Sequence, residues 1–288
     1  MDETIIKEIL KKYKITPLDI KKADNSYNSN VYIIITSRKK YILKTYKNKT
    51  KRLNEKKYYN YLYNIIPTSK VLYSSSYNNF EFNIISYFSG RNIYDEEYNC
   101  LKSDEIFNIG KVLAKIHNSK IISTSTSSWI EYLNSCIDKT KKELNYLFGK
   151  KDNDIIINFL KDYINNNIVN NYKDCLLHMD FRIGNIIINN QGKVGVIDFE
   201  SMKNGEYVFD FVKMNRIFNK HNFKIFLDGY KSIRKLSKDF DEKLKFYSFF
   251  DSYTSLYWCY VNNHTNSNFY KLNYTIVMEY LKELENKK

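Results

Sequence analysis

The sequence predicts an α+β protein in which a smaller, strand-rich part precedes a larger, mainly helical part. Before residue 90, short runs rich in Ile, Val and Tyr alternate with polar turns, as at 31–36 and 40–46, which is typical of antiparallel strands. From Leu101 onward, apolar residues recur at helical spacing instead. A chain of 288 residues with 43% apolar composition is long enough for two unequal lobes or two domains.

The N-terminal elements follow from these local patterns. A first amphipathic helix is predicted over residues 4–13, because its apolar residues share one helical face. The two β-rich runs that follow are joined by a polar turn and predict a strand pair. The remaining elements predicted before residue 90 are a helix over 51–63, strands over 71–73 and 79–85, and a turn over 74–78.

The later part is predicted to consist of helices around three short strand-like segments. Ser103 is a favourable helix N-cap, and Asp104 and Glu105 suit the first turn that follows it. The run 241–261 is dense in aromatic residues and is predicted to be helical. The other elements predicted here are helices over 103–116, 129–147, 154–165 and 274–284, a strand over 175–177 and a turn over 204–206.

Charge and composition limit the possible partners. The net charge is +14, and residues 1–60 hold 16 Lys plus Arg against 6 Asp plus Glu. Such a basic segment can attract nucleotide phosphates, nucleic acid or an acidic membrane surface. No recognisable nucleic-acid motif accompanies it, so a solvated basic face is the favoured interpretation and no specific nucleic-acid partner is expected.

Cysteine usage and hydropathy predict the compartment. The four cysteines are widely spaced and form no Cys-x-x-Cys pair, which predicts reduced thiols rather than a disulfide frame or a metal site. The sequence shows no long apolar run and no secretory signal. We therefore expect a cytoplasmic protein without a membrane span.

A predicted β-hairpin brings three oxygen-bearing side chains together. The apolar runs Ile186–Ile188 and Val194–Ile197 flank a polar turn that contains a glycine. Asn185 enters the first strand and Asp198 leaves the second, so both arrive at the open end of the hairpin, and Asp180 lies on the loop just before them. Carboxylate and amide oxygens suit a Mg²⁺ ion that bridges to substrate phosphates. The hairpin thus predicts a magnesium site.

The pattern His178-x-Asp180-x-x-x-x-Asn185, followed by Asp198 in an Asp-Phe-Glu triplet, resembles the aminoglycoside phosphotransferase and choline kinase family. The resemblance implies the two-lobed protein-kinase-like fold. Its small antiparallel-sheet N-lobe with one key helix would span residues 1–88, and its larger, mainly helical C-lobe residues 89–288. The resemblance also implies that Asp180 is the catalytic base and that Asn185 and Asp198 hold the metal. His178 is expected to pack and to hold the catalytic loop.

Two positions favour the small-molecule branch of this fold over the protein kinases. Met179 stands where protein kinases have Arg, and Glu200 stands where they have the Gly of Asp-Phe-Gly. Residues near the catalytic loop and in the late aromatic helices are therefore candidates for the acceptor site. The three candidate acceptor residues are Arg182, Glu200 and Asp251.

The resemblance also assigns a nucleotide site. Lys44 would contact the α- and β-phosphates, and Glu55, the only acidic residue of the helix predicted over 51–63, would hold its ammonium group. The phosphate-covering loop would be Asp24–Asn30, which has no glycine, with Ser29 as a donor to phosphate oxygens. The lobe linker would offer backbone groups to the adenine edge, and its residues are Ser86, Tyr87 and Phe88.

The function implied is ATP- or GTP-dependent, Mg²⁺-dependent phosphoryl transfer to a hydroxyl group of an antibiotic or a small metabolite. An aminoglycoside phosphotransferase-like resistance enzyme is one form of this function, and a choline- or ethanolamine-type metabolite kinase is another. A catalytically weak kinase-like binding protein is the alternative from a different class. A monomer or weak dimer is expected.

Overall fold

The structure, a computed structural model, describes residues 2–23, 29–93, 100–120, 128–168 and 172–286. The chain forms two compact units. Unit 1 contains Met1–Ser119, His178–Met202 and Ile217–Lys235, and unit 2 contains the remaining segments. Across the described ranges, no helix is both long enough and apolar enough to cross a lipid bilayer.

Strands dominate the beginning of the chain and helices the remainder, as the sequence predicts. The α-helices are α1 (Glu3–Lys12), α2 (Lys49–Leu62), α3 (Ser103–His117), α4 (Trp129–Phe148), α5 (Lys150–Tyr163), α6 (Val212–Ile217), α7 (Lys220–Lys231), α8 (Phe240–Val261) and α9 (Asn268–Glu285). The strands are β1 (Asp19–Lys22), β2 (Val31–Ile35), β3 (Lys40–Tyr46), β4 (Val71–Tyr77), β5 (Phe80–Ser86), β6 (Arg91–Asn92), β7 (Asp174–Leu177), β8 (Ile186–Ile188), β9 (Val194–Val196) and β10 (Lys203–Glu206).

The first five strands of unit 1 form one antiparallel sheet in the order β1-β2-β3-β5-β4. Period-two alternation places Ile34 and Leu43 on the face that packs against α1, where Ile6 and Leu10 complete the hydrophobic cluster. All four of these side chains are at most 1% exposed. Strand β3 lies at the centre of the sheet, and it carries Lys44.

The turn between β4 and β5 lies further along the chain than the sequence predicts. Residues 74–78 were expected to form it, but β4 continues to Tyr77 and pairs with Phe80. Asn78 and Asn79 make the turn, with φ angles of 45° and 64°. Asparagine tolerates this left-handed conformation, which two-residue hairpin turns require, so the serine-rich run remains available for strand pairing.

The rest of unit 1 positions the predicted catalytic segment. β6, β8 and β9 form a three-stranded antiparallel sheet, which confirms the predicted hairpin. Helices α3 and α7 cross closely at two glycines. A Cβ on Gly110 would lie 2.1 Å from the Phe226 carbonyl oxygen, and one on Gly229 would lie 1.9 Å from the Phe107 carbonyl oxygen. Only glycine permits this backbone approach.

Unit 2 contains α4, α5, α8 and α9 together with a strand pair that the sequence analysis missed. Residues 204–206 were predicted to be a turn, but they belong to β10, which pairs antiparallel with β7. The prediction was wrong because the pairing partner lies far away in the sequence. Aromatic packing fills this unit, and the indole nitrogen of Trp129 donates to the Tyr247 hydroxyl over 2.9 Å.

Candidate active site

Strand β3 and helix α2 bring together the predicted Lys44–Glu55 pair. The side chain of Asn48 accepts from the Lys51 amide over 3.0 Å and starts α2 at Lys49. The Lys44 Nζ atom lies 3.0 Å from the Glu55 Oε2 atom, and the two side chains are 8% and 0% exposed. The lysine at the end of an apolar run is therefore buried and ion-paired.

The hairpin brings Asn185 and Asp198 to one place. Asn185 lies at the end of a short 3-10 turn directly before β8, and Asp198 lies two residues after β9. The amide of Ile197 donates to the Asn185 carbonyl oxygen over 3.1 Å and ties the two segments together. Asp198 Oδ1 lies 2.8 Å from Lys44 Nζ, so the hairpin and the main sheet meet in one cluster.

Asp180 joins the same cluster through Asn185. The Asn185 side-chain amide donates to the Asp180 carboxylate oxygen Oδ2 over 3.0 Å and to its backbone carbonyl over 2.9 Å. The fully buried ring of His178 contacts the Ile197 carbonyl oxygen through Nε2 at 3.1 Å, which fixes the loop to the hairpin as expected. A continuous set of contacts therefore links Asp180, Asn185, Asp198 and Lys44.

Two site residues adopt a strained backbone conformation. Met179 and Asp198 both have φ angles of 70°, in the left-handed region that non-glycine residues rarely occupy. Such a conformation costs about 1–2 kcal/mol for an L-residue. The Asp198 amide donates to the Tyr59 hydroxyl over 3.2 Å, a contact that holds this backbone in place. Strain of this kind clusters at functional sites.

The charged groups of the cluster shift one another's pKa values. Burial raises the pKa of Glu55 to about 7, against the attraction of the Lys44 ammonium. Burial acts to lower the pKa of Lys44, but the carboxylates of Asp198, Glu55 and Glu200 outweigh it and raise this pKa well above its ordinary value. Burial also acts to raise the pKa of Asp198. The Lys44 ammonium, 2.8 Å away, outweighs burial, and the pKa of Asp198 is lowered. The ionised lysine is thus stabilised by three acids.

The oxygen-rich side chains suit a hard cation. Carboxylate oxygens of Glu55, Asp198 and Glu200 lie within 4.8 Å of one another. The Lys44 ammonium contacts all three of them, at 2.8–3.3 Å, so it fills the space that they share. The second oxygen of Asp198, whose side chain is 37% exposed, and the amide oxygen of Asn185 remain as donors that fit Mg²⁺.

Several supporting residues escaped the sequence analysis. The hydroxyl of Tyr46 hydrogen-bonds Glu55 and accepts from the Asn83 side-chain amide over 2.9 Å. The same amide also donates to the Arg52 carbonyl oxygen over 3.2 Å. Asn83 is fully buried in the otherwise apolar run Phe82–Ile85, and that polar interruption was the signal for a buried network.

The predicted phosphate loop is described only in part. Residues 24–28 lie outside the described residues. Ser29 is described, and its hydroxyl donates to Glu200 Oε2 over 3.3 Å. Ser29 therefore lies beside the lysine and carboxylate cluster.

The predicted linker residues make three different contacts. The Ser86 amide donates to the Lys70 carbonyl oxygen over 2.8 Å, so this donor is already engaged. The Tyr87 ring lies beneath the Lys40 ammonium at 5.3 Å. Phe88 packs against the hairpin at Gly195, where a Cβ would come within 2.5 Å of its ring.

The three candidate acceptor residues lie in different surroundings. Arg182 Nε lies 3.4 Å from the Asp180 carboxylate, beside the predicted catalytic base. Glu200 contacts Lys44 at 3.3 Å and Lys51 at 2.6 Å, so it lies among the lysines of the cluster. Asp251 belongs to unit 2, where it is ion-paired with Arg216 at 2.9 Å.

An antiparallel sheet with a buried lysine–glutamate pair, next to a hairpin bounded by Asn and Asp, is the arrangement expected of a protein-kinase-like fold. Comparison with known proteins agrees, because the model of the phosphotransferase enzyme family matches residues 19–234. The chain belongs to this family. No curated protein matches it in sequence.

Solved structures share the fold at low sequence identity. The GDP and kanamycin complex of APH(2")-IIia is 12% identical with a TM-score of 0.77, and 100% of each chain is covered. The streptomycin-ATP-APH(2″)-IIa ternary complex is 20% identical with a TM-score of 0.71, covering 97% of this chain and 96% of that one. Choline kinase LicA from Streptococcus pneumoniae is 17% identical with a TM-score of 0.72, covering 98% and 99%. These likenesses confirm the two-lobed, kinase-like α+β fold.

Proposed function

We propose that this chain transfers the γ-phosphoryl group of ATP or GTP to a hydroxyl group of a small molecule, with Mg²⁺ as the metal. The observation that carries the proposal is the contact chain from Asp180 through Asn185 and Asp198 to Lys44. It places a carboxylate, two metal-type oxygen donors and a buried ammonium group within one compact unit. Phosphoryl transfer needs this combination, because its catalysis is mostly positioning and charge stabilisation.

Each group has a distinct role in the proposal. Lys44, fixed by Glu55, binds the nucleotide phosphates. Asn185 and Asp198 hold Mg²⁺, which neutralises charge on the phosphate oxygens when it is bound. Asp180 orients the acceptor hydroxyl toward the phosphoryl group and accepts the proton of that hydroxyl. Asn185 donates to the Asp180 carboxylate and so keeps this base at a fixed position beside the metal ligands.

The base of the nucleotide is assigned to the linker after β5. The Ser86 amide is engaged by Lys70, so the backbone groups of Tyr87 and Phe88 are the donors and acceptors proposed for the purine edge. The similar structures include complexes with ATP and with GDP, so both ATP and GTP are candidate donors.

An aminoglycoside is the first candidate acceptor, because the similar phosphotransferase structures include complexes with gentamicin, streptomycin and kanamycin. Choline or ethanolamine is the second, which the likeness to the choline kinase favours. Asp251 is the acid proposed to contact an acceptor, but Arg216 at 2.9 Å neutralises it. A polycationic acceptor would have to compete with this arginine for the carboxylate.

A nucleotide-consumption screen tests the proposal. The purified chain, ATP or GTP and Mg²⁺ are combined with each candidate acceptor, and phosphorylated product is detected by mass spectrometry. The Lys44→Met and Asp180→Asn variants serve as controls, because each removes one proposed role. Product formed by the wild type and lost in both variants supports the proposal. Nucleotide binding without product from any acceptor would favour the kinase-like binding protein instead.

A further inference from the structure

Lys51 lies next to the proposed phosphate site, although the sequence analysis gave it no role. It stands in the first turn of α2, four residues before Glu55, so both side chains point to the same side of the helix. Its Nζ atom lies 2.6 Å from Glu200 Oε1, and the other oxygen of the same carboxylate lies 3.3 Å from Lys44 Nζ. One carboxylate therefore bridges two ammonium groups.

The two lysines differ in exposure and in the number of acids around them. The Lys44 side chain is 8% exposed, and its ammonium contacts three carboxylates. The Lys51 side chain is 35% exposed, and its one ion pair within the described residues is with Glu200. An ammonium group has three donors. Lys51 therefore keeps donor capacity for an anion that approaches from solvent, whereas the buried Lys44 has little to spare.

The charge balance of the cluster favours a direct role for Lys51 in nucleotide binding. It contains three carboxylates against two ammonium groups, and a triphosphate adds further negative charge. The segment Asp24–Asn30 has no glycine, and glycine is the residue that allows backbone amides to approach phosphates closely. Cationic side chains must then supply more of the binding energy.

We propose that Lys51 is a second phosphate-binding residue, which contacts the terminal phosphates of the nucleotide alongside Lys44. Glu200 positions the Lys51 ammonium for this contact. The inference rests on the proposed nucleotide-dependent function, and it adds a residue that distinguishes triphosphates from monophosphates. Since the contact is made to the terminal phosphates, it contributes to the binding of ATP or GTP and not to that of AMP or GMP.

Nucleotide affinity measured by calorimetry with Mg²⁺ tests the inference. The Lys51→Met variant should bind ATP about 10–100-fold more weakly, which corresponds to the loss of one charge-assisted contact, while its affinity for AMP stays within about twofold. Lys51→Arg keeps the charge and should retain most of the ATP affinity. Lys49→Met is the matched control, because Lys49 is exposed in the same helical turn and should leave both affinities unchanged.

A double-mutant comparison separates phosphate contact from simple neutralisation of Glu200. If Lys51 acted only as the counter-ion of Glu200, Lys51→Met would have no effect on ATP affinity once Glu200→Gln is present. The expected result is a further loss of at least about fivefold in that background. Equal losses for ATP and AMP, no loss for ATP, or complete suppression by Glu200→Gln would each overturn the inference.

The same measurements keep the two proposals apart. If the wild-type chain binds neither ATP nor GTP, the proposed function itself fails. If Lys44→Met abolishes binding of ATP and Lys51→Met does not weaken it, the proposed function stands and the role of Lys51 is refuted.

Discussion

Replacing Asp180 by asparagine removes one negative charge and keeps the shape of the side chain, so it separates transfer chemistry from folding. Asp180 Oδ2 accepts from Asn185 Nδ2 over 3.0 Å, and an asparagine oxygen can still accept this bond. The charge pair with Arg182 is lost, but it spans 3.4 Å between side chains that are 30% and 31% exposed. A pair with that exposure contributes at most about 1 kcal/mol.

The expected effect on catalysis is much larger than the effect on stability. General-base catalysis contributes about 10²–10⁴-fold, which corresponds to roughly 3–5 kcal/mol of transition-state stabilisation. Asp180→Asn should therefore lower kcat by that factor, while nucleotide affinity stays close to wild type. The free energy of unfolding should fall by no more than about 1 kcal/mol.

Three measurements on one preparation check this prediction: release of nucleoside diphosphate with the acceptor from the screen, nucleotide affinity by calorimetry, and urea unfolding. Asp19→Asn is the matched control, because Asp19 is 51% exposed and lies in β1. A kcat for Asp180→Asn within about threefold of wild type would refute the assignment of Asp180 as the base. So would a loss of activity that is fully explained by unfolding.

Three further replacements test the surrounding cluster. Asp198→Ala should make nucleotide affinity the same with Mg²⁺ as with a chelator, and a retained difference would contradict the metal role. Because burial raises the pKa of Glu55 from 4.5 to about 7, the folded chain binds this proton more tightly than the unfolded chain, and stability falls as pH rises across that range. Glu55→Gln should remove this pH-dependent change in unfolding free energy, which is up to about 3 kcal/mol. Urea unfolding at acidic and alkaline pH measures the change, and an equal change in the wild type and the variant would disprove the prediction. Tyr59→Phe removes the hydroxyl that pairs with the Asp198 amide and should cost about 1–3 kcal/mol of unfolding free energy, and an unchanged unfolding midpoint would count against that contact.

Local patterns were enough to predict the features that carry the proposed chemistry. The hairpin β8-β9 joins residues close in sequence, so strand alternation and the polar turn predicted that Asn185 and Asp198 meet at its open end. Glu55 is the only acid of α2, which made it the single possible helix partner for Lys44. The hairpin inference depends only on a few neighbouring residues, and the Glu55 inference depends only on α2 having a single acidic residue.

The same local patterns could not predict strand pairing between distant parts of the sequence. Residues 204–206 were predicted to be a turn. They belong to β10, whose partner β7 lies at residues 174–177, and no local pattern indicates a partner that distant. The serine-rich end of β4 looks like a loop, and its pairing with β5 makes it a strand. In both cases a hydrogen-bonded neighbour supplies the energy that local propensity lacks.

The sequence by itself determined the family, the α+β class and the residues that line the proposed reaction centre. Only the tertiary structure decided how their charges are balanced. It placed Glu200 between Lys44 and Lys51, and it placed the Tyr59 hydroxyl on the Asp198 amide. The physical reason is that burial and charge pairing depend on distances between segments more than a hundred residues apart, and these distances exist only once the chain has folded.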